Sequence, residues 1–453
     1  VPTPSLRDAS SSVHDVVVVG AGPSGASCAW WLARAGWDVV VVEKKALPRE
    51  KTCGDGLTPR AVRQLADMGL ESAVAAAGHR YEGLRAVGFG RELELAWPAH
   101  PVFPAYGYTI TRFDLDALVA DDARERGATV RFGAEAVAPL ELVPPVRDER
   151  LGAVAGVAVR DGDGEVSDLH ARYLVVADGA NSRLGRALGV SRRRDWPLGM
   201  ALRGYWTSPR HDDRFIESHI DIRDAAGDVV PGYGWVFPLG DGRVNVGVGL
   251  LSTERSWKGV NTSRLMDAFV AQASSAWGLT PSGCCGPATG GKLPMGLSVG
   301  PSVGDNVVVV GDASGAINPF NGEGIAYGYE TGRLAAAYLG RALLGGGATE
   351  LEAYHDHLDR AYAAYYRVAR AFVRLISEPQ AMQACVALGM RSEWLMARLL
   401  SIMANLLRPD HLGAAELGYR AMTAIATKVP DEVVETILAA LDERASAAAV
   451  APA

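Results

Sequence analysis

Gly20-Ala21-Gly22-Pro23-Ser24-Gly25 sets three glycines at GxGxxG spacing. In a dinucleotide site each has its own task. Gly20 makes a tight turn, Gly22 lets a pyrophosphate reach the backbone, and Gly25 lets helix and strand pack closely. Glu43 is placed to accept hydrogen bonds from adenosine ribose hydroxyls. An acid there disfavours a 2′-phosphate, so FAD or NAD is favoured over NADP. Alone, such a loop is a weak signal, because any α/β fold can carry a glycine-rich turn. Two later stretches sharpen it: Ala177-Asp178-Gly179-Ala180-Asn181-Ser182, and Gly311-Asp312-Ala313-Ser314 with Asn318-Pro319-Phe320-Asn321-Gly322-Glu323-Gly324-Ile325 behind it. FAD is long and needs a second anchor. An aspartate after a buried strand can hold a ribityl hydroxyl. A glycine-rich helix start can aim N–H groups at the pyrimidine edge of the flavin, where negative charge gathers on reduction.

The elements that must position these residues are legible as patterns. Val16 to Val19 is a β-branched run that reads as a strand buried on both faces. Gly20–Gly25 turns into a helix over Ser24–Arg34, and a second strand over Val39–Val42 ends on Glu43, which completes a βαβ unit. Tyr173–Val176 and Val307–Val310 are further buried strands, so the first domain is interrupted and resumed. A helix is predicted from Phe113 to Arg126, with Arg112 at its start as a cofactor contact; the bland alternative is a surface arginine. Residues 195–290 alternate in strand fashion and carry several tryptophans. After Gly324 the chain becomes helical, with a flexible break at Gly345-Gly346-Gly347. The expected division is 14–85, 105–190 and 297–345 for a discontinuous nucleotide domain, 86–104 and 191–296 for a sheet-based substrate domain, and 346–445 for a helical region, with 1–13 and 446–453 as flexible ends.

Together the three stretches resemble the flavoprotein group that contains aromatic hydroxylases and geranylgeranyl reductases. Two more motifs choose between them. Lys51-Thr52-Cys53-Gly54-Asp55-Gly56-Leu57 resembles the Cys-Gly-rich loop of the reductases, and Pro231-Gly232-Tyr233-Gly234-Trp235-Val236-Phe237-Pro238 with Gly247-Val248-Gly249 resembles their YxWxFP…GxG motif. Hydroxylases usually carry a histidine after the GD motif, where this chain has Ala313-Ser314-Gly315. The resemblance runs from about Asp15 to Leu343 and is strongest to actinobacterial members that saturate an isoprene unit of the menaquinone tail. It implies an α/β, p-hydroxybenzoate-hydroxylase-like FAD-binding fold, with a mixed-sheet substrate domain and a helical C-terminal region. The expected non-covalent FAD contacts are Gly20, Ala21, Gly22, Pro23, Ser24, Gly25, Glu43, Lys44, Cys53, Gly54, Asp55, Gly56, Arg112, Ala136, Asp178, Gly179, Gly311, Asp312, Pro319, Gly322, Glu323, Gly324 and Ile325. Tyr233, Trp235, Phe237, Pro238, Gly247 and Gly249 are the expected substrate contacts, and Cys53, Tyr233 and Trp235 the expected catalytic set.

Physical chemistry supports an isoprenoid. Tyr233, Trp235 and Phe237 alternate, so on a strand they share one face. Burying a five-carbon unit offers up to ~4 kcal/mol before ordering costs. The bland alternative is that these rings are simply core. The chemistry implied is hydride transfer from reduced flavin to one alkene carbon with a proton to the other. Cys53 and Tyr233 are the candidate donors, both weak acids at their ordinary pKa, and Cys53 reads equally well as a small buried hydrophobe. No second nucleotide fingerprint exists, so NAD(P)H and a protein donor both stay open as electron source. Two other functions stay open: an FAD-dependent aromatic monooxygenase, and a non-catalytic prenyl-binding carrier.

The composition excludes several classes. With 453 residues, 48% hydrophobic and 21% charged, the chain can bury a large core, and a net charge of −7 implies no nucleic-acid partner. Five cysteines without a CxxC pair read as reduced thiols in a cytoplasmic protein. Val1–Ser12 lacks the order of a secretory signal, and no run reaches the about 18 apolar residues of a membrane span. His355 and His357 lie two apart on a helix and do not share a face, so no metal site is expected. Trp394, Leu395, Leu399, Ile402, Met403, Leu406 and Leu407 recur at helical spacing, opposite Arg391, Arg398, Asn405 and Arg408. Residues 361–428 hold eight Lys/Arg against four Asp/Glu. The stripe suits either packing on the protein's own core or a peripheral position on the inner face of an anionic membrane. A monomer with a polyprenyl lipid or quinone substrate is expected.

Overall fold

The structure, a computed structural model, describes residues 13–146, 151–230, 232–251, 260–376, 386, 389–408 and 411–428. Its first sheet is built from valine runs. Thr129–Phe132, Val39–Glu43, His14–Val19 and Val166–Val176 lie side by side in parallel, and Val307–Val309 pairs in parallel with the end of Val166–Val176. The start of Val166–Val176 pairs antiparallel with Ala153–Arg160, which pairs with Glu135–Val143. One long strand thus serves both halves of the sheet. The parallel strands are buried on both faces because their valines alternate between two cores. Val16, Val18, Val39 and Val41 face the helices Pro23–Arg34, Arg112–Glu125 and Ile325–Arg341, whereas Val17, Val19, Val40 and Val42 face the opposite core.

The second sheet is mixed. Its order is Thr289–Pro294, Leu198–Thr207, Arg243–Leu251, Gly232–Pro238, Phe215–His219, Gly83–Gly88, Arg91–Ala96, antiparallel throughout except that Phe215–His219 runs parallel to Gly83–Gly88. Gly83–Gly88 straddles the expected boundary at 85/86. The helix Thr262–Trp277 covers one face, starting on an Asn261 side chain that accepts from Arg264 N–H and stopping at left-handed Gly278. A small sheet of Gly56–Leu57, Gly107–Thr109 and His79–Tyr81 joins the two large ones.

The C-terminal stripe divides. In the helix Glu393–Met403 and the turn after it, Ile402 and Leu406 are buried, and Met403 and Leu407 pack on the core. Trp394 at the start of that helix is 59% exposed and Leu395 40%. Self-packing therefore accounts for the end of the stripe and not its beginning. Among the described residues no helix is long and apolar enough to cross a membrane. Gly345 and Gly347 have φ of 116° and 60° and turn one helical segment into the next. Cys28, Cys53, Cys284 and Cys285 are free thiols; Cys385, Pro231 and the expected flexible ends apart from Val13 lie outside the described residues. His355 bonds Ser302 and His357 bonds Tyr338, so the two rings have separate partners.

The helices Pro23–Arg34 and Ile325–Arg341 cross at Gly332, where a Cβ would run into Ser24 O and stand 3.1 Å from Cys28 N. Gly332→Ala is expected to force the helices apart and destabilise the fold by about 1–3 kcal/mol. A denaturant titration checks this, as a lowered midpoint with an unchanged slope.

Candidate active site

The first glycine loop is built as its spacing requires. Gly20 has φ of 106°, and a Cβ on it would overlap Ala177 O. A Cβ on Gly25 would overlap Gly20 O, so helix and strand are as close as backbone allows. Gly22 is different: a Cβ there would meet only Arg49 Nη2 at 3.9 Å and Arg112 Nη2 at 4.0 Å. The space over Gly22 is thus faced by two guanidinium groups. The helix starts at Pro23 with no side-chain cap, which leaves its first N–H groups for an anion. Glu43, 4% exposed, accepts from Ala21 N–H at 3.0 Å and Lys45 N–H at 3.1 Å.

Arg112 is not a surface arginine. It is 6% exposed and forms a two-pronged pair with Asp116, both contacts 2.7 Å. Burial works against its charge, but Asp116 more than compensates and raises its pKa. Arg49 was not foreseen. It spans Asp116 at 3.0 Å and Glu43 at 3.4 Å. A cation a few residues past Glu43 was the only sequence signal for it. Lys44 is exposed, and Ala136 lies on Glu135–Val143 against the second core; its neighbour Ala134 donates to Glu43 O at 3.1 Å.

The three separated stretches converge. Ala177 O abuts Gly20, and a Cβ on Gly311 (φ 61°) would stand 2.7 Å from Ser24 Cβ. One on Gly324 would stand 3.2 Å from Asp312 Oδ1. Asp178 Oδ2 accepts from Leu184 N–H at 3.3 Å, in the first turn of the short helix Arg183–Ala187 that Ser182 caps, and its buried Oδ1 has no partner among the described residues. Gly179 (φ 82°) faces Lys51 Nζ. Residues 318–324 form a compact turn closed by Asn318 N–H to Glu323 O and Gly322 N–H to Asn318 O, each 2.9 Å. Pro319 and Ile325 are buried at its two ends, and the helix Ile325–Arg341 starts on Gly324 without a side-chain cap.

The aromatic strand explains the GxG motif through its register. Tyr233 pairs with Gly249 and Trp235 with Gly247. Each ring lies over its glycine: a Cβ on Gly249 would be 2.9 Å from the Tyr233 ring, and one on Gly247 2.5 Å from Trp235 Cε2. Tyr233, Trp235 and Phe237 form a continuous wall, with centroids 5.6 and 6.4 Å apart. Gly54 and Gly56 each approach Phe237, where a Cβ would stand at 3.1 Å, and Gly322 approaches the Tyr233 hydroxyl, at 2.9 Å. The wall therefore meets both the Cys53 loop and the 318–324 turn. Pro238 ends the strand, its carbonyl taking the Thr109 hydroxyl.

Asn245, fully buried, joins wall to loop. Its Oδ1 accepts from Trp235 Nε1 at 2.9 Å, and its Nδ2 donates to Cys53 O and Asp55 Oδ2, both 2.8 Å. Asp55 also accepts from the Tyr205 hydroxyl at 2.6 Å and Arg112 N–H at 3.2 Å. It is wholly buried at φ 62°, and burial pushes its carboxyl up to about 6 against the pull of Tyr205, Arg203 and Asn245. Neither Asn245 nor Tyr205 was anticipated, because nothing near them in sequence marks them. Burial raises the Cys53 thiol, helped by Asp55 and opposed by Arg112, and pushes the Tyr233 phenol up to about 12. Both groups are thus neutral at pH 7.

These residues fit a flavin dinucleotide. Gly22 with Arg49 and Arg112 suits the pyrophosphate, Glu43 the ribose, and the two uncapped helix starts the phosphates and the pyrimidine edge. Arg49→Ala should weaken FAD binding by roughly 10–100-fold, the worth of one charge-assisted hydrogen bond. Titration of stripped protein with FAD, followed by flavin fluorescence, reads this directly; unchanged affinity would remove Arg49 from the site.

Residues 13–209 match the protein family described as FAD binding domain. A menaquinone reductase of Mycolicibacterium smegmatis is 41% identical over 397 residues, 87% of this chain and 92% of that protein. Digeranylgeranylglycerophospholipid reductase 1 of Methanopyrus kandleri is 30% identical over 368 residues, 80% of this chain and 91% of that one. Among solved structures, a geranylgeranyl bacteriochlorophyll reductase-like protein of Thermoplasma acidophilum shares the fold, with a TM-score of 0.69 over 93% of this chain and 99% of that one at 20% identity. The hydroxylase and carrier alternatives are not favoured by these relatives. The convergence of three strand ends on one nucleotide cradle and the similarity along most of its length agree: this chain is an FAD-dependent oxidoreductase of the geranylgeranyl reductase family.

Proposed function

We propose that this protein saturates a carbon–carbon double bond in a polyprenyl chain, and that the chain is the isoprenoid tail of a menaquinone. The observation that carries this is the wall of Tyr233, Trp235 and Phe237, apolar, continuous, and bounded by the two loops that would border the flavin ring. Bound FAD in its reduced form supplies the hydride. The wall holds the alkene flat and dry. Each methylene laid against it is worth about 0.8 kcal/mol, which gives affinity without strict selection of chain length. Cys53 and Tyr233, both half-buried and neutral, stand at the wall and would help to keep water from it. The menaquinone reductase relatives support the choice of substrate. A lipid-soluble tail also needs a route from the bilayer. The exposed Trp394 and Leu395, with Arg398 over the Trp394 ring at 5.2 Å, support a peripheral contact with the inner membrane face.

Anaerobic single turnover tests the reading. Chemically reduced protein mixed with menaquinone should return to the oxidised flavin spectrum and yield a quinone two mass units heavier. Formation of product only with oxygen, and with a gained oxygen atom, would sink it in favour of a monooxygenase. Trp235→Ala should slow this turnover at least ~30-fold, as the loss of ~2–4 kcal/mol of ring contact implies, while flavin content stays near one per chain. Loss of flavin in that variant would instead make the ring structural core.

A further inference from the structure

Saturating an isolated alkene takes a proton as well as a hydride, and the proton donor works best when its pKa lies near the working pH. Cys53 and Tyr233 are both displaced upward by burial, away from that range. We propose that the Glu323 carboxyl delivers the proton to the alkene carbon that does not receive the hydride. The proposal rests on the prenyl-reductase reading and adds the acid to it.

Glu323 sits in the 318–324 turn between two contacts already described: Gly322 against the Tyr233 hydroxyl and Gly324 against Asp312. Its backbone therefore lies between the aromatic wall and Asp312. Its side chain is fixed from the loop that packs on Phe237, since Oε1 accepts from the Thr58 hydroxyl and Gly56 lies against that ring. The other oxygen, Oε2, is shut off from solvent and has no hydrogen-bond partner among the described residues. An ionised carboxylate left that way is costly, whereas a protonated one has an O–H ready to give. Burial pushes the group from 4.5 up to about 7, opposed by Thr58, Arg60 and the Asn321 amide and reinforced by Glu330. The other titratable groups around it are the phenols of Tyr81, Tyr327 and Tyr365, all raised and neutral, and Asp312 beyond Gly324. Arg60 pulls the group down, but it also pairs with Glu330 at 3.1 Å and donates to Asn405 O at 2.9 Å, and burial outweighs it.

The step balances. The π bond breaks, one carbon takes the hydride with its electron pair, and the other takes the Glu323 proton. Two C–H bonds form, and the carboxylate left behind recovers a proton from solvent before the next turnover.

Two measurements on the flavin-loaded protein decide this. In anaerobic single turnover with menaquinone, the wild-type rate should fall as pH rises through about 7. Glu323→Gln should keep its flavin, lose at least ~100-fold in rate and lose that inflection. Glu323→Asp should keep the inflection at a reduced rate. The second measurement is thermal unfolding against pH, followed by tryptophan fluorescence. A carboxyl raised in the folded state adds stability below its unfolded pKa and loses it as pH rises through the folded one. Wild type should therefore lose stability relative to Glu323→Gln between pH 4.5 and about 7. Glu323→Gln turning over like wild type with the same pH profile overturns the proposal. So does loss of flavin from that variant, which would make the carboxyl a cofactor anchor. Wild type that fails to react with menaquinone overturns the prenyl-reductase reading instead.

Discussion

A carboxamide is the one small side chain that offers two donors and an acceptor at once, and the arrangement of this site depends on one of them. Asn245 meets Trp235, Cys53 O and Asp55 with those three valences, in a place no water reaches. A serine would supply one donor, and an aspartate would face Asp55 charge to charge. Each buried group left without its partner costs about 1–3 kcal/mol, so the three interactions stand or fall together. Through them the position of the aromatic wall is tied to the Cys53 loop. Asp55 passes the constraint on to Tyr205 in the second sheet and to the start of the Arg112 helix in the first domain.

The register of the second sheet supplies the other half of the constraint. On Gly232–Pro238 the odd-numbered rings face the Cys53 loop and the 318–324 turn. Even-numbered Gly234 faces Phe269 of the covering helix, where a Cβ would stand 2.8 Å from Phe269 Cδ2. A slip of one residue would exchange the two faces and put rings where the helix needs glycine. Packing on the far side thus enforces the placement of the rings on the near side. The glycines of Gly247-Val248-Gly249 serve neither a turn nor a phosphate. They are the floor on which Tyr233 and Trp235 lie flat.

What could be read from the chain was what is local. Valine runs, a glycine loop and an acid at a strand end mark a βαβ unit because all their consequences fall within thirty or so residues. The alternation of Tyr233, Trp235 and Phe237 gave their shared face for the same reason. The residues that were missed act across long separations. Asn245 and Asp55 are 190 positions apart, and Tyr205 and Asp55 150. No period or motif announces such a pair. Asp178 shows the opposite difficulty: its place after a strand was evident, yet part of its hydrogen bonding goes to the helix Arg183–Ala187. The stripe in Glu393–Met403 was read correctly as a pattern, but a periodic stripe cannot say where along its length the core ends.

The turn at 318–324 is completed from far down the chain. Asn318 donates to Met403 O at 2.9 Å and Asn321 to the same oxygen at 3.3 Å, while Tyr365, which also bonds Met403 O, accepts from Asn318 at 3.1 Å. During synthesis the N-terminal segments leave the ribosome first. The turn therefore emerges with water at both amides and reaches its final bonding only after Met403 has followed. The glycine loop near the N-terminus meets Arg49, Arg112 and Ala177 much earlier. The two ends of the site thus mature at different times, and the 318–324 end is finished last.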